Sequence, residues 1–208
     1  MATKSPVAAK GLNRDVLSAT ALQILDAHGL AALSMRRLAS ELGVDPMAAY
    51  RHLPNKDALL DAVLDRVLRD VDLPSRTDSP WNLRLRAGVK ALMETLLRHP
   101  RAAPLLAERT WTTPYGLAVS EWFMRTLVEA GIPARDAFLA TNTTGLFLVS
   151  LANAIHGATL APPAARLAGL TAGEAPVIAQ TLAAGQGATY EEMLDWWLDR
   201  VEEGLRRT

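Results

Sequence analysis

The stretch that decides the fold is LSMRRLASELGVDPMAAYRHLPNKDALLDAVLDRVL, residues 33–68. Ser34 can cap a helix, because its hydroxyl can accept from a backbone N–H in the first turn. Behind it Met35, Leu38, Ala39 and Leu42 recur at helical spacing and form the apolar face of a short helix. Gly43 stops that helix, since a residue without Cβ enters the left-handed region freely. Asp45-Pro46 then opens a third helix, a cap oxygen followed by a proline at the position where no N–H is missed. In it Ala49 and Leu53 face inward, leaving Met47, Ala48, Tyr50, Arg51 and His52 outside. Pro54-Asn55 ends it and starts a fourth, where Leu59, Leu60, Val63, Leu64, Val67, Leu68 and Val71 form a long apolar stripe.

Two short helices joined through Gly43-Val44-Asp45 make a helix-turn-helix arrangement. In such a unit the second helix lies in the DNA major groove, which is wide enough for one α-helix. The competing reading is an ordinary corner between two core helices. Three features weigh against it. A core helix rarely exposes a mix such as Met47, Tyr50, Arg51 and His52. Arg36 and Arg37 begin a helix, where cations oppose the helix dipole, so an external anion such as phosphate is implied. Lys56 repeats that placement one helix later. Against this, the end that would face the bases, Pro46-Met47-Ala48-Ala49, has almost no hydrogen-bonding capacity.

Outward from this stretch the chain reads as helix nearly everywhere. Upstream, Leu17, Ala21, Ile24, Leu25 and His28 share one face, with Asn13 as cap and Gly29 as stop. Downstream, DLPSRTDSP at 72–80 has turn formers and no periodicity, and the domain junction is placed there. Helices are expected from Ser79-Pro80 to about Arg98, over about 101–108, from Thr113-Pro114 to Gly131, and from Pro133 to about His156. APPAARLAGL, residues 161–170, reads as a loop. Thr171 with Glu174, and Thr189 with Glu192, look like capping boxes. The class is all-α, with about nine or ten helices and no strand. The expected organisation is a flexible arm over 1–11, a helix-turn-helix domain with its connecting helix over 12–71, and a larger helical domain over 72–208.

Composition narrows the function. The chain has 208 residues, half of them hydrophobic, enough for a real core. It has no cysteine, which excludes disulfides, thiol catalysis and thiolate zinc sites. Twenty-two basic residues balance 22 acidic ones. Residues 1–56 hold seven basic and four acidic, a surplus of three, and the remainder a matching deficit. That asymmetry suits a nucleic-acid-binding head on a neutral body. With no signal-peptide pattern and no apolar run near the length of a membrane span, a soluble cytoplasmic protein is expected.

Residues 33–68 resemble the DNA-binding head of the TetR-type transcriptional repressors. Leu33, Arg36, Leu38, Ala39, Leu42-Gly43-Val44, Tyr50, His52, Asn55-Lys56 and Leu59-Leu60 carry the likeness. A weaker likeness to the tetracycline-repressor branch continues through Trp81, Leu96-Leu97, His99, Gly131 and Gly145. The resemblance implies that Arg36 reaches a base edge, an arginine fork suiting guanine O6 and N7. Met47 and Ala48 match base-facing positions, where apolar atoms can touch a thymine methyl. Tyr50, His52 and Lys56 match phosphate contacts, which set register and affinity rather than sequence. Ser34 and Arg51 complete the expected DNA-facing set. A half-buried ring for Tyr50 and a solvated side chain for His52 are the alternatives.

The same resemblance implies that the second domain binds a small molecule and dimerises. The candidate ligand residues are Leu92, Leu96, Leu106, Trp111, Phe123, Leu127, Asn142, Thr143 and Phe147, most of which would serve equally as plain core. Thr141-Asn142-Thr143-Thr144 interrupts the apolar helix at 133–156, and buried polar groups need partners, either internal or on a ligand. The metal-binding histidine of the tetracycline branch aligns with Leu106, its second-shell glutamate with Ala154 and its drug-contacting asparagine with Gly88. The resemblance therefore implies an apolar or aromatic inducer, with no metal and no cofactor. Helices near 134–157 and 189–206 are the expected homodimer surface. The first has Gly145, Ser150, Ala152 and Ala154 for close approach; the second has Leu194, Trp197, Leu198, Val201 and Leu205 in a stripe beside Trp196.

An enzyme is the rival class, as is a helical small-molecule-binding adaptor that does not bind DNA. His28, His52, His99 and His156 form no zinc motif, and no phosphate loop or nucleophile elbow occurs. Only His156 with Asn142 or Asn153 forms a candidate catalytic set. The expected partners are double-stranded operator DNA, a small inducer and a second copy of the chain, with no membrane.

Overall fold

A computed structural model describes residues 11–75, 79–157, 177, 180 and 188–207. Among the described residues there are nine α-helices and no strand. They are α1 Arg14–His28, α2 Met35–Leu42, α3 Pro46–Tyr50, α4 Lys56–Arg69, α5 Trp81–Arg98, α6 Ala103–Arg109, α7 Pro114–Val128, α8 Ala134–His156 and α9 Tyr190–Leu205. Single 3-10 turns at Leu30–Ala32, Pro100–Ala102 and Thr110–Thr112 join α1 to α2, α5 to α6 and α6 to α7.

The helix starts follow the cap chemistry of the sequence. Asn13 accepts from Val16 N at 2.9 Å, Ser34 from Arg37 N at 3.1 Å, and Asp45 from Met47 N at 2.7 Å. Asn55 caps α4 through Ala58 N at 2.8 Å. At α9 the capping box is reciprocal: Glu192 N donates to Thr189 Oγ1 at 3.2 Å, and Thr189 N donates to Glu192 at 2.8 Å. Gly43 takes φ 67° in the turn between α2 and α3, where a Cβ would add backbone strain. Thr171, Glu174 and the expected loop at 161–170 lie outside the described residues.

Three details differ from the sequence reading. The short helix after Pro100 begins as a 3-10 turn and then runs on to Arg109. His28 is exposed rather than on the apolar face, because it is the last residue of α1 and the core ends above it. The 23-residue α8 is, by length and a mean hydropathy of 1.4, apolar enough to cross a membrane, which counting uninterrupted apolar runs misses. It packs instead against α5, α6, α7 and α9.

α4 ties the two ends of the molecule together. Leu59, Val63 and Leu64 are fully buried, and α4 packs on α1 on one side and on α6 and α7 on the other. Each such leucine contributes about 1.5–3 kcal/mol relative to exposure. At the far end of α4, Arg66 and Arg69 hold Asp15 of α1 at 2.8 and 3.2 Å. The hydrogen bond from Arg69, with Arg66 beside it, keeps the Asp15 carboxyl below its ordinary range. Beyond α4, Trp122 Nε1 donates to Pro74 O at 3.2 Å and pins the chain entering the second half.

Candidate DNA-binding face and ligand cavity

α2 and α3 present one exposed face, basic at Arg36 and mostly apolar along α3. Ala49 and Leu53 are fully buried beneath it, and Leu38 and Leu42 brace it from α2. This burial forces the alternate residues outward. Met47 is 66% exposed, Tyr50 is exposed on the same side, and Ala48 is half-buried. Arg36, Arg51, His52 and Lys56 are all exposed. The two arginines that begin α2 differ. Arg37 pairs with Glu41 one turn on, at 3.6 Å, whereas Arg36 has no ion pair among the described residues. The Ser34 hydroxyl accepts from Arg37 N as the cap, and Asp45 turns its carboxylate onto Met47 N. α3 is only five residues long, so its outer surface consists almost entirely of Pro46, Met47 and Tyr50 with Arg51 and His52 just beyond.

The second half encloses a cavity of about 230 Å³. α5 contributes Leu92 and α6 contributes Leu106 and Ala107. Thr110 and Trp111 form the turn at its edge, and α7 adds Val119, Ser120 and Phe123. α8 closes it with Thr141, Asn142, Thr144, Gly145 and Leu146. None of these lining residues carries a charge. Trp111 and Leu146 are also among the exposed apolar side chains, so the cavity opens between them. Trp111 stacks on Phe138 at 6.2 Å, extending an aromatic surface outward.

The polar run of α8 divides into two kinds of residue. Asn142 donates to Phe138 O at 2.9 Å, Thr143 to Leu139 O at 2.8 Å and Thr144 to Ala140 O at 2.6 Å. These are satisfied within their own helix. Thr141 Oγ1 is buried with no hydrogen-bond partner, and it borders the cavity. An unmet buried hydroxyl costs about 1–3 kcal/mol, which a ligand oxygen or nitrogen could recover.

Of the nine expected ligand residues, Leu92, Leu106, Trp111, Phe123 and Asn142 border the cavity and four do not. Leu96 and Leu127 point into the core and are fully buried. Thr143 lies on the outer side of α8. Phe147 is occupied with Trp197 of α9, ring on ring at 4.7 Å. Sequence reasoning missed Ala107, Thr110, Val119, Ser120, Gly145 and Leu146, because small, hydroxyl and aliphatic residues on otherwise apolar helices give no signal distinct from packing. Of the candidate catalytic set, Asn153 and His156 share the last turn of α8 but are exposed and do not line the cavity, and Asn142 is roughly 20 Å up the same helix. His99 meets Asp26 of α1 at 2.8 Å, which no local pattern announces.

A second connection also escaped the sequence reading. Arg109, at the end of α6, donates to Asp57 at 2.6 Å and to Asp61 at 3.0 Å on α4. The hydrogen bond to Asp57 raises the guanidinium pKa above its ordinary value, and Asp61 adds to the effect. The acids stand four residues apart on one face of α4, a spacing the sequence shows without naming the partner.

Comparison with known proteins gives these features a common context. Residues 17–63 match the model of the bacterial regulatory proteins of the tetR family, and residues 73–194 match the tetracyclin repressor-like C-terminal domain. An HTH-type transcriptional regulator of Saccharopolyspora erythraea is 33% identical over 143 residues, covering 69% of this chain and 61% of that one. The class C tetracycline repressor of Escherichia coli is 32% identical over 140 residues, 66% of this chain and 64% of the relative. The chain thus spans less than two thirds of the length of either curated relative. The crystal structure of ActR from Streptomyces coelicolor in complex with actinorhodin superposes with a TM-score of 0.82 at 28% identity, covering 94% of this chain and 97% of that one. With both halves matched by family models, this chain belongs to the tetR family of bacterial transcriptional regulators.

Proposed function

We propose that this chain is a ligand-responsive repressor that binds a pseudo-palindromic operator as a homodimer and leaves it when an uncharged aromatic molecule enters the cavity. The observation that carries the reading is the pairing of an exposed face free of internal partners at Arg36 with a cavity whose lining carries no charge. Lys56, Tyr50, His52 and Arg51 grip phosphates, Ser34 orders the start of α2 beside them, and Arg36 reads a base edge. Met47 and Ala48 touch thymine methyls.

The ligand class follows from the lining. A neutral, planar molecule fills the space between Leu106, Phe123 and Trp111, and one of its polar atoms meets Thr141 Oγ1. The bound actinorhodin in the similar ActR structure supports an aromatic occupant. By the sequence likeness Leu106 aligns with the metal-binding histidine of the tetracycline branch, and leucine cannot ligate a metal, which favours a metal-free occupant. Of the stripe expected to meet a second copy, Leu194, Leu198 and Leu205 are buried within the chain itself, so the homodimer face is read instead from the exposed Leu139 and Leu146 of α8 and Met193 and Trp196 of α9. An apolar surface of that extent needs a cover, and a two-fold partner places two α3 helices on successive half-sites. The protein acts as a cytoplasmic regulator, without catalysis and without a membrane.

The test is a gel shift on random duplex, then on operator selected in vitro, repeated with an uncharged polycyclic quinone and with tetracycline plus Mg²⁺. Steeply salt-dependent micromolar binding is expected, with release by the aromatic compound. Absence of DNA binding at low salt would sink the repressor reading. Saturable tetracycline–magnesium binding would sink the metal-free one.

A further inference from the structure

α4 carries Asp57, Asp61 and Asp65 at intervals of four, so all three lie along one face. That face is held entirely by the segment that closes the cavity. Arg109 bridges Asp57 and Asp61, Thr112 donates to Asp61 at 3.0 Å, and Tyr115 N donates to Asp65 at 2.8 Å. Thr110 and Trp111, between those anchors, line the cavity. The Arg109 Nε–H is buried without an acceptor, so the guanidinium answers to α4 alone. At the other end of this ladder Asp57 is the neighbour of Lys56, and its side chain is 75% exposed.

We propose that Arg109 is a positioning residue that neutralises Asp57 and Asp61 behind Lys56, and so sets how strongly the DNA-facing end of α4 is repelled by the DNA backbone. This deepens the repressor reading and rests on Lys56 contacting phosphate. The effect is electrostatic as well as mechanical. Asp61 is one helical turn, about 5 Å, beyond Asp57. Asp57, next to Lys56 in the chain, is the nearer of the two, and at 0.1 M salt charges are felt over a Debye length of roughly 10 Å. With Arg109 seated, the two acids and the guanidinium leave a net charge of −1; without it the same spot carries −2 beside a polyanion.

The test needs no inducer. Random-duplex affinity is measured by fluorescence anisotropy for the wild type, Arg109→Gln, and Arg109→Gln combined with Asp57→Asn and Asp61→Asn, across a salt series. Arg109→Gln should weaken binding by roughly threefold to tenfold at about 0.05 M salt, the difference closing as salt screens it. The triple variant should recover wild-type affinity, which a purely structural role for Arg109 does not explain. Hydrogen exchange on the same proteins should show residues 55–66 and 109–116 loosening together in Arg109→Gln, with α1 unchanged. Wild-type affinity in Arg109→Gln overturns the proposal. So does a loss that the asparagines fail to rescue, or loosening confined to one segment. A wild-type chain that binds no duplex removes the repressor reading and this proposal together, whereas normal wild-type binding with an unaffected Arg109→Gln removes this proposal alone.

Discussion

Gly88 sits in the middle of α5, where glycine is ordinarily a weakness. In a solvent-facing helix, Gly→Ala stabilises by about 1 kcal/mol, through helix propensity and a less disordered unfolded chain. At Gly88 a Cβ would lie 2.4 Å from Cζ3 and 2.7 Å from Cη2 of Trp122, and 3.3 Å from Cε1 of Phe123. The indole cannot simply swing away. Its Nε1 is bonded to Pro74 O, and its edge packs against the Phe123 ring at 5.0 Å. Overpacking of this kind costs about 1–3 kcal/mol. Set against the propensity gain, Gly88→Ala should destabilise by about 0–2 kcal/mol, a fall in Tm of up to several degrees for a chain of this size.

The reasoning makes a sharper claim in a second background. In Trp122→Leu the obstructing ring is gone, so the same Gly88→Ala change should stabilise by about 1 kcal/mol. Urea unfolding of the four proteins at neutral pH gives the interaction directly, and it should be about 1–3 kcal/mol. The cost of Trp122→Leu itself cancels in the cycle. A Gly88→Ala variant that stabilises with Trp122 present, or has the same effect in both backgrounds, refutes the account.

Four further outcomes are expected. Lys56→Ala should weaken binding to all duplexes and lower the salt slope by about one, while Arg36→Ala relaxes preference at particular bases; comparing binding isotherms on several sequences separates the two. Met47→Gln should change the selected half-site more than the overall affinity, as read by in vitro selection. Thr141→Val should raise Tm by removing an unmet buried hydroxyl, and weaken the binding, measured by calorimetry, of any uncharged aromatic compound found to release the DNA. Gly145→Ala should stabilise the single chain by about 1 kcal/mol, because no atom lies within 4 Å of its Cβ; if a partner α8 packs there, sedimentation will show a weaker dimer.

Much of the fold was legible because its signals are local. Asn13, Ser34, Asp45 and Thr189 announce helix starts within three residues of themselves, and the hydrogen bonds fall where the cap chemistry places them. The exposed side of α3 was legible for the same reason, since two buried positions four apart fix the rest. The cavity was less so. Leu92 and Leu96 are both buried leucines one turn apart on α5, yet only Leu92 borders the cavity. Which of two such neighbours faces a void depends on where α7 and α8 cross, and that is a tertiary property. Arg109 and His99 were invisible for a related reason: their partners are 48 and 73 residues away.

The apolar character of α3 constrains how an operator could be told from bulk DNA. A bidentate arginine–guanine pair discriminates by about 1–3 kcal/mol, so in the proposed dimer two Arg36 side chains reading guanine would supply about 2–6 kcal/mol. Specific binding typically exceeds non-specific binding by about 4–10 kcal/mol. The difference has to come from elsewhere. Asp45 is turned onto Met47 N and Arg37 toward Glu41, so neither supplies a free hydrogen-bonding fork to a base. On the proposed reading, what remains is contact of Met47 and Ala48 with thymine methyls, and the shape of the duplex between half-sites. A reader built this way depends on the spacing and tilt of its two heads more than on any one base contact.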